Sequence, residues 1–338
     1  VDDTGAETTE AGGPHLPVMV ERLTALLTDG LTSDGGIVID ATVGAAGHAA
    51  ALLAAHPGIH LIGFDRDADA LELASRRLAA YSSRVTLVHA GYDEITDHVT
   101  PVVERVGAPP VGVLYDLGVS SMQLDRAERG FSFRADAPLD MRMDTQSTVT
   151  AADLVNELTV GELVDLIHRY GEERQARRIA DAIVAARPLT STAQLAQVVA
   201  DAVPAAVRRL STHHPATRTF QALRIAVNRE LERFEASLPQ ALELVAQGGR
   251  IAVLSYHSLE DRIAKRFFSD AAIGCICPPD LPVCGCGRVP FVRVLTRGAQ
   301  APDEAEIAAN PRARSARLRA VERLAPLPSF PVAVRVQE

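Results

Sequence analysis

The chain has 338 residues, 47% of them hydrophobic, and a formal net charge of −9. Such a length can bury one large core or two smaller ones. The acidic balance argues against one continuous basic surface, although local clusters can still create a positive groove. No apolar run is long enough to span a membrane. The first residues carry no signal-peptide pattern, and the four cysteines are bunched rather than spread as a disulfide framework, so a cytoplasmic protein is expected. Lys265 is the only lysine, and the remaining basic side chains are arginines, whose planar fork suits phosphates and bases.

Residues 1–14 are polar and glycine-rich and are expected to be a disordered tail, with order starting at His15. Strand-like runs then fall at 36–40, 60–65, 85–90 and 111–116, with helical stretches between them. Alternating strands and helices imply a parallel sheet, and runs apolar on both faces are what buried parallel strands require. Asp40-Ala-Thr-Val-Gly44-Ala-Ala-Gly47-His48 sits between the first strand and an alanine-rich helix. Its glycines allow a ligand to approach the backbone near a helix N-terminus. Asp65 ends the second strand, the position from which an acid usually holds ribose hydroxyls. Gly44 and Gly47 are three apart and do not form the nicotinamide fingerprint G-x-G-x-x-G. Asp40 would repel a pyrophosphate and suits a ligand with a cationic end, as S-adenosylmethionine has.

The alternation stops near Asp144, and 150–203 reads as helices alone. Thr159-x-x-Glu162 and Ser191-x-x-Gln194 are capping boxes, Gly171 is a candidate C-cap, and Pro188 and Pro204 break the pattern. Phe220, Leu223, Val227, Leu231 and Phe234 follow as one apolar helix face. Gly248-Gly249 leads into a fifth strand at 250–255, and 289–296 and 315–322 are two further strand candidates. Together with a loop suited to S-adenosylmethionine, this layout predicts an α/β, Rossmann-like methyltransferase sheet built from 15–144 and 216–325. An all-helical insertion, 145–215, and a C-terminal tail, 326–338, complete it.

Longer motifs carry a resemblance. They are Gly112-Val-Leu-Tyr-Asp116-Leu-Gly118-Val-Ser-Ser121-Met-Gln123-Leu-Asp125, Arg129-Gly-Phe-Ser-Phe133 and Pro138-Leu-Asp140-Met-Arg142-Met-Asp144. Gly171-Glu-Glu-Arg174, His214-Pro-Ala-Thr-Arg218-Thr-Phe220-Gln221-Ala-Leu-Arg224, His257-Ser-Leu-Glu260-Asp261-Arg262 and Asn310-Pro-Arg312-Ala-Arg314-Ser315 follow. From His15 to about Arg323 the set resembles the bacterial ribosomal-RNA small-subunit methyltransferase H family, also called MraW. The resemblance implies methyl transfer from S-adenosylmethionine to the exocyclic N4 of a cytidine in the decoding region of 16S ribosomal RNA. It implies cofactor contacts at Ala46, Gly47 and His48 in the loop, at Asp65, at Tyr92, at Asp116 and at Gln123. Ala46 and Tyr92 replace the commoner glycine and phenylalanine of the family.

Asp40, Asp65, Tyr92 and Asp116 all fall at strand ends, where ligands of parallel sheets bind. An amide-like cytosine amine is a poor nucleophile, so a positioned acceptor for its hydrogens should matter most. Asp116 is the first candidate for that acceptor and Asp140 the second. The Asp-Pro-Pro-Tyr cage of many amino-methyltransferases is absent here, where the residues are Asp116-Leu-Gly-Val. Phe131 and Phe133 could stack on the target base or could be packing. Arg174, Arg177, Arg178, Arg208, Arg209, Arg218 and Arg224 are candidate phosphate contacts, with Arg174 and Arg178 sharing a helix face. Ser255 lacks the nucleophile elbow of a hydrolase. A non-catalytic ribosome-assembly factor and a nicotinamide oxidoreductase are the competing classes, disfavoured by the loop, Asp40, Asp65 and Asp116. Cys275-x-Cys277 and Cys284-x-Cys286 could ligate zinc or be reduced thiols in a proline-rich loop, and no metal is assigned from sequence.

Overall fold

The structure, a computed structural model, describes residues 17–29, 31–210, 213–278, 283 and 285–324. The expected tails at 1–14 and 326–338, the start of order at His15, and Cys284 lie outside the described residues.

Seven strands form one sheet: β1 (Gly36–Asp40), β2 (Ile59–Asp65), β3 (Val85–His89), β4 (Pro110–Asp116), β5 (Arg250–Ser255), β6 (Val292–Val294) and β7 (Arg317–Arg323). Their order is β3-β2-β1-β4-β5-β7-β6. Strands β1 to β5 are parallel, and β7 lies antiparallel between β5 and β6. The first five follow the Rossmann order, which reverses direction between β1 and β4 and opens a crevice at their carboxyl ends. Every expected strand is present; the one expected at 289–296 is cut to three residues, because Pro290 cannot donate to a ladder.

Side-chain alternation divides the sheet's two faces. Ile37, Ile39, Val113, Tyr115, Ile251 and Val253 point into one buried layer, closed by Phe234, Leu238 and Leu242 of the helix Glu230–Leu244. Val38, Leu114, Ala252 and Leu254 point the other way, against Leu23 and Leu27 of the helix Val20–Thr28 and Leu52 of the helix Gly47–Ala55. Period-two alternation with both faces covered accounts for the continuous apolar runs. Each fully buried aliphatic side chain contributes roughly 1.5–3 kcal/mol.

Between β4 and β5 the chain is helical, and a third apolar cluster holds this part together. Both capping boxes form: Thr159 and Ser191 side chains accept from Glu162 N and Gln194 N. Two expectations are corrected. The residue that ends the helix Val160–Gly171 in a left-handed conformation is Glu172, at φ 48°, and not Gly171. Gly171 has a packing role instead, because a Cβ there would lie 2.7 Å from the Arg218 carbonyl oxygen. The single apolar face through Phe220 and Phe234 is also divided. Arg229, at φ 51°, separates the helix Thr217–Asn228 from the helix Glu230–Leu244. Phe220 and Leu223 join the helical cluster, whereas Phe234 joins the sheet. Phe131, Leu139 and Met141 also pack into the helical cluster, so its core reaches past residues 145–215 on both sides.

Candidate active site

The parallel register brings Asp40, Asp65, Asp116 and Ser255 to the same edge of the sheet. A cavity of about 440 Å³ opens there, within the usual size of a small-molecule site. Its walls come from residues 41–45, 47 and 48 of the loop, from Asp65 and Arg66 after β2, from Tyr92, and from 116–120 and 122–124 after β4. Arg224, Glu230, Leu231 and Phe234 close it from the helical side, and Tyr256, Glu260, Asn310 and Arg312 complete the lining.

The loop is shaped by two left-handed residues, Gly44 at φ 47° and Ala46 at φ 59°. Alanine there bears a conformation that glycine adopts without cost. Ala46 is fully buried and absent from the cavity wall, whereas Gly47 and His48 line it. Asp65 secures the loop: its Oδ2 accepts from Gly44 N at 2.9 Å, and its Oδ1 accepts from Asp67 N at 2.9 Å. Burial raises the Asp65 carboxyl to about 6, against the opposing pull of those two N–H groups.

Asp40 departs from the expected direct contact with a cationic ligand. It is 2% exposed, lies beneath the loop, and its Oδ1 accepts from Thr42 N at 3.2 Å. Burial pushes its carboxyl up to about 7, while the charge of His48 pulls the other way. Asp40 is therefore not on the cavity wall, and its hydrogen bond goes to the loop backbone.

His48 and Asp116 both line the cavity and contact each other. His48 Nδ1 lies 3.4 Å from Asp116 Oδ2, and Nε2 lies 2.8 Å from the Val18 carbonyl oxygen. Both ring nitrogens thus face acceptors, which suits the doubly protonated ring. Burial opposes that charge, but the Asp116 hydrogen bond and charge, with the Val18 carbonyl and Asp40, raise the imidazole to about 8. Tyr256 donates its phenol to Asp116 Oδ1 at 2.8 Å, and Asp116 N donates to Thr42 Oγ1 at 2.7 Å. Burial and then the Asp116 carboxylate hold the Tyr256 phenol far above its ordinary value, so it remains a donor. Asp116 is left 26% exposed, with each oxygen oriented by one partner and lone pairs still directed to the cavity.

Tyr92 is half-buried, fixed by a hydrogen bond from its phenol to the Glu230 carbonyl oxygen at 3.2 Å and by an edge contact with Tyr115. Gln123 is 5% exposed; its Nε2 donates to Asp67 Oδ2 at 3.0 Å and its Oε1 accepts from Ser120 N at 3.1 Å. It ties the segment after β4 to the turn after β2. Arg129 supports the same turn, 2.9 Å from Asp67.

Asp140, the second candidate acceptor, is not on the cavity wall. Arg142 takes up both of its oxygens, Nε to Oδ1 at 2.8 Å and Nη2 to Oδ2 at 2.7 Å. Although partial burial opposes its charge, Arg142 holds the carboxyl below its ordinary value. Phe131 and Phe133 are packing: Phe131 is 8% exposed, and Phe133 rests on His214 and Phe220 at 4.7 and 4.9 Å. Of the expected arginines, Arg224 is half-buried and bound to Glu230 by two 2.8 Å bonds. The others are exposed. Arg174 precedes the helix Ala176–Ala185 and does not share a helix face with Arg178.

Sequence reasoning missed Tyr256 and Glu260's hold on it; Glu260 Oε2 accepts from Tyr256 N at 2.8 Å. The available signal was position, since Tyr256 directly follows β5 and β5 pairs with β4 through Leu254 and Asp116.

Residues 12–324 match the MraW methylase family. The chain is 54% identical over 313 residues to the ribosomal RNA small subunit methyltransferase H of Thermobifida fusca, covering 91% of this chain and 93% of that one. It is 52% identical to the protein of that name from Saccharopolyspora erythraea, covering 92% and 93%. A solved rRNA methylase from Streptococcus thermophilus aligns at a TM-score of 0.39 and 12% identity, over 90% of this chain and 94% of that one. With a Rossmann-ordered sheet, a glycine loop and acids converging on one cavity, and identity above half across nearly the whole chain, this protein belongs to the MraW methylase family of S-adenosylmethionine-dependent methyltransferases.

Proposed function

We propose that this chain transfers a methyl group from S-adenosylmethionine to the exocyclic N4 of a cytidine in the decoding region of 16S ribosomal RNA, acting on the small subunit or its precursor. The observation that carries the reading is the Asp116 carboxylate, held by Tyr256 and His48 beside the glycine loop and open to the cavity. The small-subunit RNA substrate follows the name of the relatives.

The residues present fit the donor. The segment Gly44–Gly47 offers backbone without bulky side chains, Asp65 offers a carboxylate for ribose hydroxyls, and Tyr92 offers a fixed ring for adenine. Gln123 holds the adjoining wall closed through Asp67. The donor supplies a sulfonium-activated methyl. Asp116 accepts hydrogens of the target amine, drawing its lone pair away from the ring and toward the methyl. Tyr256 and His48 keep the carboxylate from turning, so the acceptor needs no reorganisation during reaction. The proton lost from nitrogen passes to Asp116 and on to solvent. The base must leave any stack to reach the cavity. The helical part follows the cavity wall at 116–124 in the chain and bears the exposed arginines, so phosphate positioning falls to it.

The test is methylation of small ribosomal subunits from cells lacking this protein, with nucleoside mass analysis of the digested 16S RNA. N4-methylcytidine mapped to the decoding region is the expected product. A methyl on another atom or base would overturn the assignment.

A further inference from the structure

We propose that the loop joining the helix Ser258–Ala272 to β6 is a thiolate zinc site built on Cys275, Cys277 and Cys286. The three sulfur atoms all lie within 4.8 Å of one another, and Cys275 Sγ and Cys286 Sγ are 3.9 Å apart. A tetrahedral zinc with sulfur bonds of about 2.3 Å needs sulfur pairs about 3.8 Å apart. A disulfide needs about 2.05 Å, so the spacing suits a shared ion and not a bond. Two segments eleven residues apart in sequence converge to make this cluster.

Among the described residues of this loop, Ile273, Ile276, Val283 and Val289 are 42%, 61%, 76% and 53% exposed, so these apolar side chains are not packed into a core. Anchors exist at its ends: Arg288 donates to the Asp270 carbonyl oxygen at 2.6 Å, and Phe291 N donates to Ala271 O at 2.8 Å. A metal would join the segment at Cys275 and Cys277 to the segment at Cys286, and such ligation itself supplies folding free energy. Soft thiolates select zinc over magnesium or calcium. Cys284 lies outside the described residues, and the assignment rests on the other three. The cluster is absent from the wall of the candidate active site, so its role is to shape the segment leading into β6 rather than to take part in methyl transfer.

The experiment uses the full chain without a histidine tag, purified under reducing conditions. Elemental mass spectrometry should find about one zinc per chain, and cobalt replacement should give the visible bands of tetrahedral cobalt thiolate. The Cys275→Ser/Cys286→Ser variant should lose both signals and still bind S-adenosylmethionine. Should that variant fail to fold, mercurial titration of the wild-type thiols, with a colorimetric zinc indicator, should release the same zinc. A reduced wild-type chain that holds no zinc and gives no cobalt bands, a variant that keeps its metal, or a Cys275–Cys286 disulfide in the purified protein would each overturn the site.

Discussion

Replacing Asp65 offers the most direct test of how the cavity holds its donor. The carboxylate lies on the cavity wall and is already engaged by Gly44 N and Asp67 N, one at each oxygen. Each oxygen keeps a lone pair for a ribose hydroxyl. Losing one charge-assisted bond costs on the order of 1.5–3 kcal/mol, which is roughly a 10- to 150-fold increase in Kd. Asp65→Ala also frees Gly44 N and loosens the loop, so it should fall at the weak end of that range or beyond it. Asp65→Asn keeps an acceptor for one backbone N–H and should lose less. The pH dependence adds a second readout. The carboxyl titrates at about 6 in the free protein, and ribose donors favour its ionised form. Affinity should therefore fall as pH drops below about 6, and Asp65→Asn should lack that part of the decline even though Asp40 and His48 titrate nearby. Isothermal calorimetry from pH 5 to 8 measures both. Unchanged affinity in folded Asp65→Ala, or identical pH profiles for wild type and Asp65→Asn, would refute the role.

Asp116→Ala should lose turnover far more than donor affinity, and Tyr256→Phe should show a milder form of the same split, with single-turnover rates down by no more than about a hundredfold for one lost bond to a charged group; a near-normal rate in Asp116→Ala would move the acceptor elsewhere. The ligand-free fold should be sensitive to Asp40: its folded carboxyl is raised to about 7, so its contribution is present below the ordinary carboxylate range and lost as pH rises towards 7. The melting temperature of Asp40→Asn relative to wild type should thus climb between pH 4 and 7, and a flat difference in differential scanning fluorimetry would contradict this. Neutralising the exposed Arg174, Arg178 and Arg209 together should weaken RNA binding and reduce its salt slope by about 0.7–0.9 for each phosphate no longer neutralised, with donor affinity little changed; a triple variant with wild-type slope and methylation would make the helical part a packing element.

Much of the fold was legible because parallel strands buried on both faces leave continuous apolar runs such as Ile37–Ile39 and Val113–Tyr115, and because glycines mark the turn after the first of them. The carboxyl-end acids could be read as a group for the same reason, since a parallel sheet aligns its strand tips. Local chemistry also made both capping boxes readable. What the sequence could not decide depends on pairing at long range or on a single backbone turn. His48 meets Asp116, and Tyr256 meets the same carboxylate across 140 residues, only because β4 pairs with both β1 and β5. Asp140 is removed from candidacy by Arg142, two residues away, through a left-handed turn at Met141 that no periodicity announces. Arg229 turns one apparent helix into two and sends Phe220 and Phe234 to different cores. Apolar periodicity reports which side of an element is buried; only the tertiary structure decides against what, and so which polar groups at the rim come within hydrogen-bonding distance.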